Sequence, residues 1–235
     1  MTEETNPPTD RFRFYASERC QGKIVTLEEA EKVLLEDLAK AAEPEEILWK
    51  LVRFYKTSGR QMKTLEYLQN LSCLTDDPEK KATCYRIMGQ CMEDLRDYEK
   101  AVTFYSQAFS LEPTNTDTWY FINNNLGYSL NQLGKYEDGA KYCRAAIKID
   151  PTRCNAFKNL GLSFSGKGDY AEAATNFITA TKVNLSDTRA LQHLEELIEQ
   201  HPELSVQIPN LLSQLEECRM AVELARQAND SISSG

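Results

Sequence analysis

The residues able to do chemistry are few and scattered along the chain. His193 and His201 are its two histidines, and acid–base catalysis would need one of them beside a nucleophile or a paired acid. The acidic pairs Glu195-Glu196 and Glu216-Glu217 fall on the polar sides of amphipathic patterns, where solvent claims them. Gly166-Lys167-Gly168-Asp169 reads as a break between two helices and not as a phosphate cradle, because the Walker spacing is missing. There is no GxGxxG, no HExxH and no nucleophile elbow. The expectation is a non-enzymatic chain with no cofactor.

Seven cysteines stand singly: Cys20, Cys73, Cys84, Cys91, Cys143, Cys154 and Cys218. No CxxC pair exists, the number is odd, and both histidines lie far from most of them, so the four converging ligands of a zinc site are not in prospect. Buried, reduced thiols are the expectation. Cys84 and Cys91, seven apart, suit a helix–helix seam. The opening MTEETNPPTD is polar and acidic, unlike a secretory signal, and no apolar run approaches the ~18 residues of a membrane span. These features point to the cytoplasm and away from a membrane partner. The net charge of −9 argues against nucleic acid, since a phosphate backbone would meet repulsion.

The elements that would position such residues come from a repeat. Residues 82–115, 120–153 and 154–187 align, with Gly89, Gly127 and Gly161 in register, as are Tyr98, Tyr136 and Tyr170, and Ala108, Ala146 and Ala180. Each unit holds two helical patterns. In the second, Leu126, Leu130 and Leu133 recur at i, i+4 and i+7, and after Gly134 come Tyr136, Ala140, Cys143 and Ile147. A glycine inside a helix costs about 1 kcal/mol relative to alanine, so the aligned glycines imply close packing of the helix pair.

These residues resemble the tetratricopeptide repeat family, whose 34-residue period and W…LG…Y…A…F…P pattern they follow. Met88-Gly89, Leu126-Gly127 and Leu160-Gly161 fill the LG slot. Ala101 and Ala173 fill the small slot of the second helix, where Gly139 departs. Tyr105 and Phe177 fill its aromatic slot, where Cys143 departs. A degenerate copy at 45–78 has Val52 in place of the glycine. The resemblance implies an all-α, right-handed superhelical solenoid of antiparallel helix pairs. The expected organisation is a flexible or extended tail over 1–25, a capping helix over 26–44 opened by the Thr26-x-x-Glu29 box, four units over 45–187, capping helices over 188–228, and a tail over 229–235.

Between Gly89 and Gly127 the interval is four residues longer than between Gly127 and Gly161. A helix from about 117 to 133, one turn longer than usual, accommodates both Trp119 and Asn123 in the first-helix register, with Thr116 or Asp117 as N-cap. The run INNNLGYSL (122–130) then lies inside a helix.

In the family the first helices line a concave groove. Projection places Arg53, Arg86, Gln90 and Phe121 there, then Asn124, Asn125 and Tyr128, then Asn155, Lys158, Asn159 and Leu162. Asparagine amides both donate and accept, so a column of them can hold an extended peptide backbone, with Asn125 paired to Asn159 and Asn123 turned toward the neighbouring helix. The carboxylate clamp of some members is poorly matched, because Asn155 and Asn159 stand where cations belong. The expected function is an adaptor binding a peptide or helix of another protein. The alternative is a structural subunit of a larger assembly, or a homodimer formed through the helix at 209–228. The alternating Arg11-Phe12-Arg13-Phe14-Tyr15 suits an extended strand, or a peptide docking in the protein's own groove.

Overall fold

The computed structural model describes the backbone of residues 11–14 and 23–233 and the side chains of residues 26–230. Strands β1 (Arg11–Phe14) and β2 (Lys23–Thr26) pair antiparallel, with Arg11 opposite Thr26 and Phe14 opposite Lys23. The chain then turns wholly helical: α1 (Leu27–Lys40), α2 (Glu45–Thr57), α3 (Gln61–Leu74), α4 (Pro78–Asp94), α5 (Tyr98–Ser110), α6 (Thr116–Gln132), α7 (Tyr136–Ile149), α8 (Cys154–Lys167), α9 (Tyr170–Val183), α10 (Arg189–Gln200), α11 (Leu204–Gln207) and α12 (Leu211–Ser233). The self-docking expectation fails for residues 11–14, whose backbone is taken up by β2 beside α1. Tyr15 lies outside the described residues.

Local chemistry sets the helix ends. Thr26 and Glu29 form the reciprocal capping box at α1, each side chain accepting the other's backbone N–H. Pro78 is the first residue of α4, where its missing N–H costs nothing, and Asp77 caps the helix from the preceding position. Asn115, one residue before the expected Thr116, caps α6 by accepting the Thr118 N–H at 2.9 Å. The helix at 209–228 begins at Leu211, because Asn210 sits in the left-handed region at φ 60°.

The extra turn is present in α6, but α6 does not own it alone. Both α4 and α6 have 17 residues with the glycine at the twelfth, whereas α8 has 14 with Gly161 at the eighth. The first helices thus come in two lengths, with α2 at 13 residues on the short side beside α8.

Helices pair as α2/α3, α4/α5, α6/α7 and α8/α9, and the first helices α4, α6 and α8 also pack directly on one another. The glycines explain the close pairing. A Cβ on Gly89 would meet the Tyr105 ring at 2.5 Å, and one on Gly161 the Phe177 ring at 2.6 Å. In α6/α7 Cys143 replaces the aromatic, and the backbones themselves approach: a Cβ on Gly127 would stand 3.0 Å from the Gly139 carbonyl oxygen. The two departures from the family pattern, Gly139 and Cys143, are thus one compensated change.

Large apolar clusters sit at the two ends. One gathers Leu34, Leu51, Tyr55, Leu68 and Met88 from α1 to α4. The other gathers Phe177, Leu194, Leu204, Leu211 and Leu215 from α9 to α12. The inner face of α12, including Cys218 and partly buried Val222, therefore packs within its own chain; Leu212, Met220 and Leu224 face outward and exposed. Between the ends the apolar clusters are small, and polar side chains fill the seams.

Candidate functional site

The groove side of α4, α6, α8 and α10 holds a cavity of about 550 Å³ lined by twelve residues. Seven of the eleven projected residues meet there: Asn124, Asn125 and Tyr128 from α6, and Asn155, Lys158, Asn159 and Leu162 from α8. Glu93, Asp94 and Gln132 join them, as do Arg189 and His193 of α10, a helix the projection did not reach. Arg53, Arg86, Gln90 and Phe121 lie outside this cavity, toward α2. There the Arg86 guanidinium covers the Phe121 ring at 5.6 Å, and Lys56 donates to Gln90 Oε1 at 2.6 Å.

The three asparagines behave differently from one another. Asn123 is buried, and its amide donates to the Trp119 carbonyl of its own helix at 2.8 Å. Asn124 and not Asn125 is the partner of Asn159: Asn159 Nδ2 donates to Asn124 Oδ1 at 3.0 Å. Asn124 also donates to Asn125 Oδ1, and Asn125 donates to the Tyr105 hydroxyl at 3.3 Å. The reason is geometric: residues one apart on a helix lie about 100° apart, so one of the pair takes the seam and the other the open groove.

A fourth amide, Asn131, was not singled out by sequence. Its Nδ2 donates to the Asn159 carbonyl at 2.8 Å and its Oδ1 accepts from Ser163 at 2.8 Å, both buried. The signal that could have found it is the small slot opposite: a Cβ on Gly139 would stand 2.1 Å from Asn131 Oδ1. One acceptor remains. Asn159 Oδ1 is buried and has no hydrogen-bond partner, at a site where a buried, unmade hydrogen bond costs about 1–3 kcal/mol.

Glu93 and Asp94 face Lys158 and Arg189 across the cavity lining. Lys158 is 8% exposed and makes no ion pair among the described residues; burial, followed by the Arg189 charge, pulls its pKa down. Asp187 binds Arg189 at 2.5 Å, and that guanidinium holds its carboxyl down to about 2. Glu93 accepts from Ser129 at 2.7 Å, yet burial pushes its carboxyl up to about 7.

The Glu93 shift has a measurable result. An acid whose folded pKa is raised favours the folded state most at pH values below its unfolded pKa. That contribution, on the order of 3 kcal/mol, fades as the pH rises from about 4.5 to about 7. Glu93→Gln, which can still accept from Ser129, should therefore melt near the parent at pH 5 and above it at pH 8. Parallel melting curves with no pH-dependent gap would contradict the assignment.

Each histidine lies beside a carboxylate and an aromatic ring. His193 Nδ1 lies 3.5 Å from Glu196, and His201 stacks on Tyr170 at 3.6 Å between centroids. No group of three metal-ligating side chains converges among the described residues, and no described helix is long and apolar enough to cross a membrane. Cys84, Cys91, Cys143, Cys154 and Cys218 are buried free thiols, and Cys73 is an exposed one. Burial pushes the Cys143 thiol up to about 12, so it is not an ionised nucleophile at neutral pH.

Stacked helix hairpins around an inner groove define a helical-repeat solenoid. The tetratricopeptide repeat family model matches residues 82–115 and 122–153, and the chain carries tetratricopeptide repeats. Among curated relatives, heat shock protein STI1 of Saccharomyces cerevisiae is 25% identical over 48% of this chain and 19% of its own length. Small glutamine-rich tetratricopeptide repeat-containing protein 2 of the same yeast is 31% identical over 42% of this chain and 28% of its own. The chain thus spans less than a third of either relative. Among solved structures, MamA 41-end from Desulfovibrio magneticus RS-1 superposes with a TM-score of 0.60 at 20% identity, covering 78% of this chain and 96% of that one. BtubC from P. vanneervenii gives 0.60 at 16%, covering 89% of each. These two likenesses concern the fold.

Proposed function

We propose that this chain is a non-enzymatic, cytoplasmic adaptor that holds an extended peptide segment of another protein in the groove between α4 and α10. The observation that carries the reading is the set of four amides, Asn124, Asn125, Asn155 and Asn159, among the residues lining a cavity of about 550 Å³. Asn125 and Asn155, both half-buried, present amides able to bond a peptide backbone whatever its side chains. Tyr128 and Leu162 add apolar contact. The matched repeat family and relatives such as STI1 support an interaction role.

A second observation favours the assembly alternative. An outer groove of about 960 Å³ runs between α3 and α5 over α4, lined in part by Met62, Leu65, Met88, Met92, Leu95 and Phe104. Met62 and Leu95 there are 70% and 46% exposed. Methionine-lined grooves accept varied apolar surfaces.

The double variant Asn125→Ala/Asn159→Ala separates the two readings. Peptides selected from a random display library on the parent protein should bind it at least 10-fold more weakly, with the melting temperature followed as a control. Unchanged affinity in a folded variant, together with an oligomer dispersed by Met62→Glu, would hand the function to the outer groove.

A further inference from the structure

We infer that the outer groove over α4 is a self-association site, and that its occupant is the outward face of α12 from a second copy of this chain. The inference rests on the assembly reading of that groove and names the partner it takes.

The groove is open because one repeat step lacks a filler. The second helices α5 and α7 are bridged by rings: Phe109 meets Tyr142 edge-on at 5.6 Å and stacks on Trp119 at 4.7 Å. Counted from the N-caps Arg60, Asp97 and Lys135, the same two positions between α3 and α5 are held by Ser72 and Phe104. Ser72 is small, and its hydroxyl donates to the Gln69 carbonyl of its own helix at 2.8 Å. No ring pair joins α3 to α5 among the described residues, and a space of about 960 Å³ is left between them. Met88 and Met92 of α4 floor it at 4% and 5% exposed, while Met62 and Leu95 stand at its rim. Three of the chain's five methionines therefore line it, and such a lining moulds to an inserted helix.

A helix that fits is carried by the same chain. Cys218 and Val222 pack α12 against its own solenoid. Met220 and Leu224 each come two residues later, about 200° further round the helix, and are 53% and 66% exposed. Leu212, also exposed, continues this apolar surface toward the start of α12. Large apolar side chains gathered on one exposed face mark a contact surface. From Leu212 to Leu224 the helix rises about 18 Å, and from Met62 to Cys73 the groove follows α3 for about 16 Å. The two lengths match.

The charges at the mouth also correspond. Glu216 and Glu217 lie one turn before Met220, one to either side of the row it forms with Leu224. Lys63 on the α3 wall and Lys100 on the α5 wall flank the groove in the same way. In the free chain these lysines rest on Glu66 at 3.1 Å and Asp97 at 2.6 Å, exposed pairs that exchange partners at little cost. The cations of α12, Arg219 and Arg226, are engaged by Glu195 and Glu223 at 2.6 and 3.4 Å. A contact between unlike faces leaves each bound copy with a groove or a helix still free, so it propagates unless it closes on itself.

Light scattering on three full-length proteins tests this. The parent should show a mass above one chain that rises with concentration. Met62→Glu puts a charge in the groove mouth, and Met220→Glu/Leu224→Glu spoils the guest; all three positions are exposed, so neither change threatens the fold. Each variant alone should associate roughly 10-fold more weakly, or worse. Mixed in equal amounts, the two variants should form a complex of two chains and nothing larger, because one intact groove and one intact helix remain between them. A helix variant that associates like the parent, while Met62→Glu does not, would overturn α12 as the occupant and leave the outer groove an assembly surface. A mixture that restores no complex would overturn the pairing of unlike faces. A parent that stays a single chain at every concentration, or a Met62→Glu protein that associates like the parent, would overturn both the inference and the assembly reading.

Discussion

Gly127→Ala is expected to lower the melting temperature by roughly 2–12 °C, following an overpacking cost of about 1–3 kcal/mol at about 2–4 °C per kcal/mol for a domain of this size. The added carbon would stand 2.6 Å from Cys143 Sγ, 3.0 Å from the Gly139 carbonyl oxygen and 3.1 Å from the Cys143 nitrogen. A side chain can rotate away. Two backbone atoms of α7 cannot, so the helix pair itself has to separate. Cys143→Ala added to Gly127→Ala should therefore recover only part of the loss. Gly134→Ala supplies the contrast. Gly134 has φ +72° and nothing within 4 Å of a Cβ, so its cost is the left-handed strain alone, about 1 kcal/mol. Differential scanning calorimetry of the three variants orders them, and a Gly127→Ala protein as stable as Gly134→Ala would refute the backbone-contact account.

Deleting residues 209–235 should be more damaging still. The deletion removes Leu211, Leu215 and Cys218, which are 1%, 6% and 1% exposed, and uncovers their apolar partners on α9, α10 and α11, Leu204 among them. Burial of a large side chain is worth about 1.5–3 kcal/mol, so the loss is on the order of 5 kcal/mol, comparable to the whole stability of a marginal domain. A fall of at least ~10 °C is expected, with light scattering reporting association of the newly bared face. A truncated chain that melts within a few degrees of the parent would show that α12 is an appendage.

Much of the fold was legible because helical repeats are written in short-range code. The aligned glycines, the capping box and the 3.6-residue apolar rhythm are each readable within one helix or one hairpin, and each led to an element that is present. What failed were statements about partners across helices. Asn125 was paired with Asn159 because they share a slot, but adjacent first helices are offset, and Asn124 makes the contact. Asn131 went unnoticed since its value depends on a missing Cβ eight residues away, at Gly139. The strand at Arg11–Phe14 was recognised as extended, yet its partner, β2, was not. Lys158 and Arg189 form one electrostatic group only after α8 and α10 are brought together.

The bonds made by Asn131 and Asn159 have one more consequence. Three of them tie α6 to α8: Asn131 to the Asn159 carbonyl at 2.8 Å, Asn131 to Ser163 at 2.8 Å, and Asn159 to Asn124 at 3.0 Å. Apolar surfaces slide over one another with gradual loss, but hydrogen bonds fail within a few tenths of an ångström. The step from the third repeat to the fourth therefore behaves as a locked joint. The groove at that step is a fixed gauge, and a guest must match its length, not reshape it.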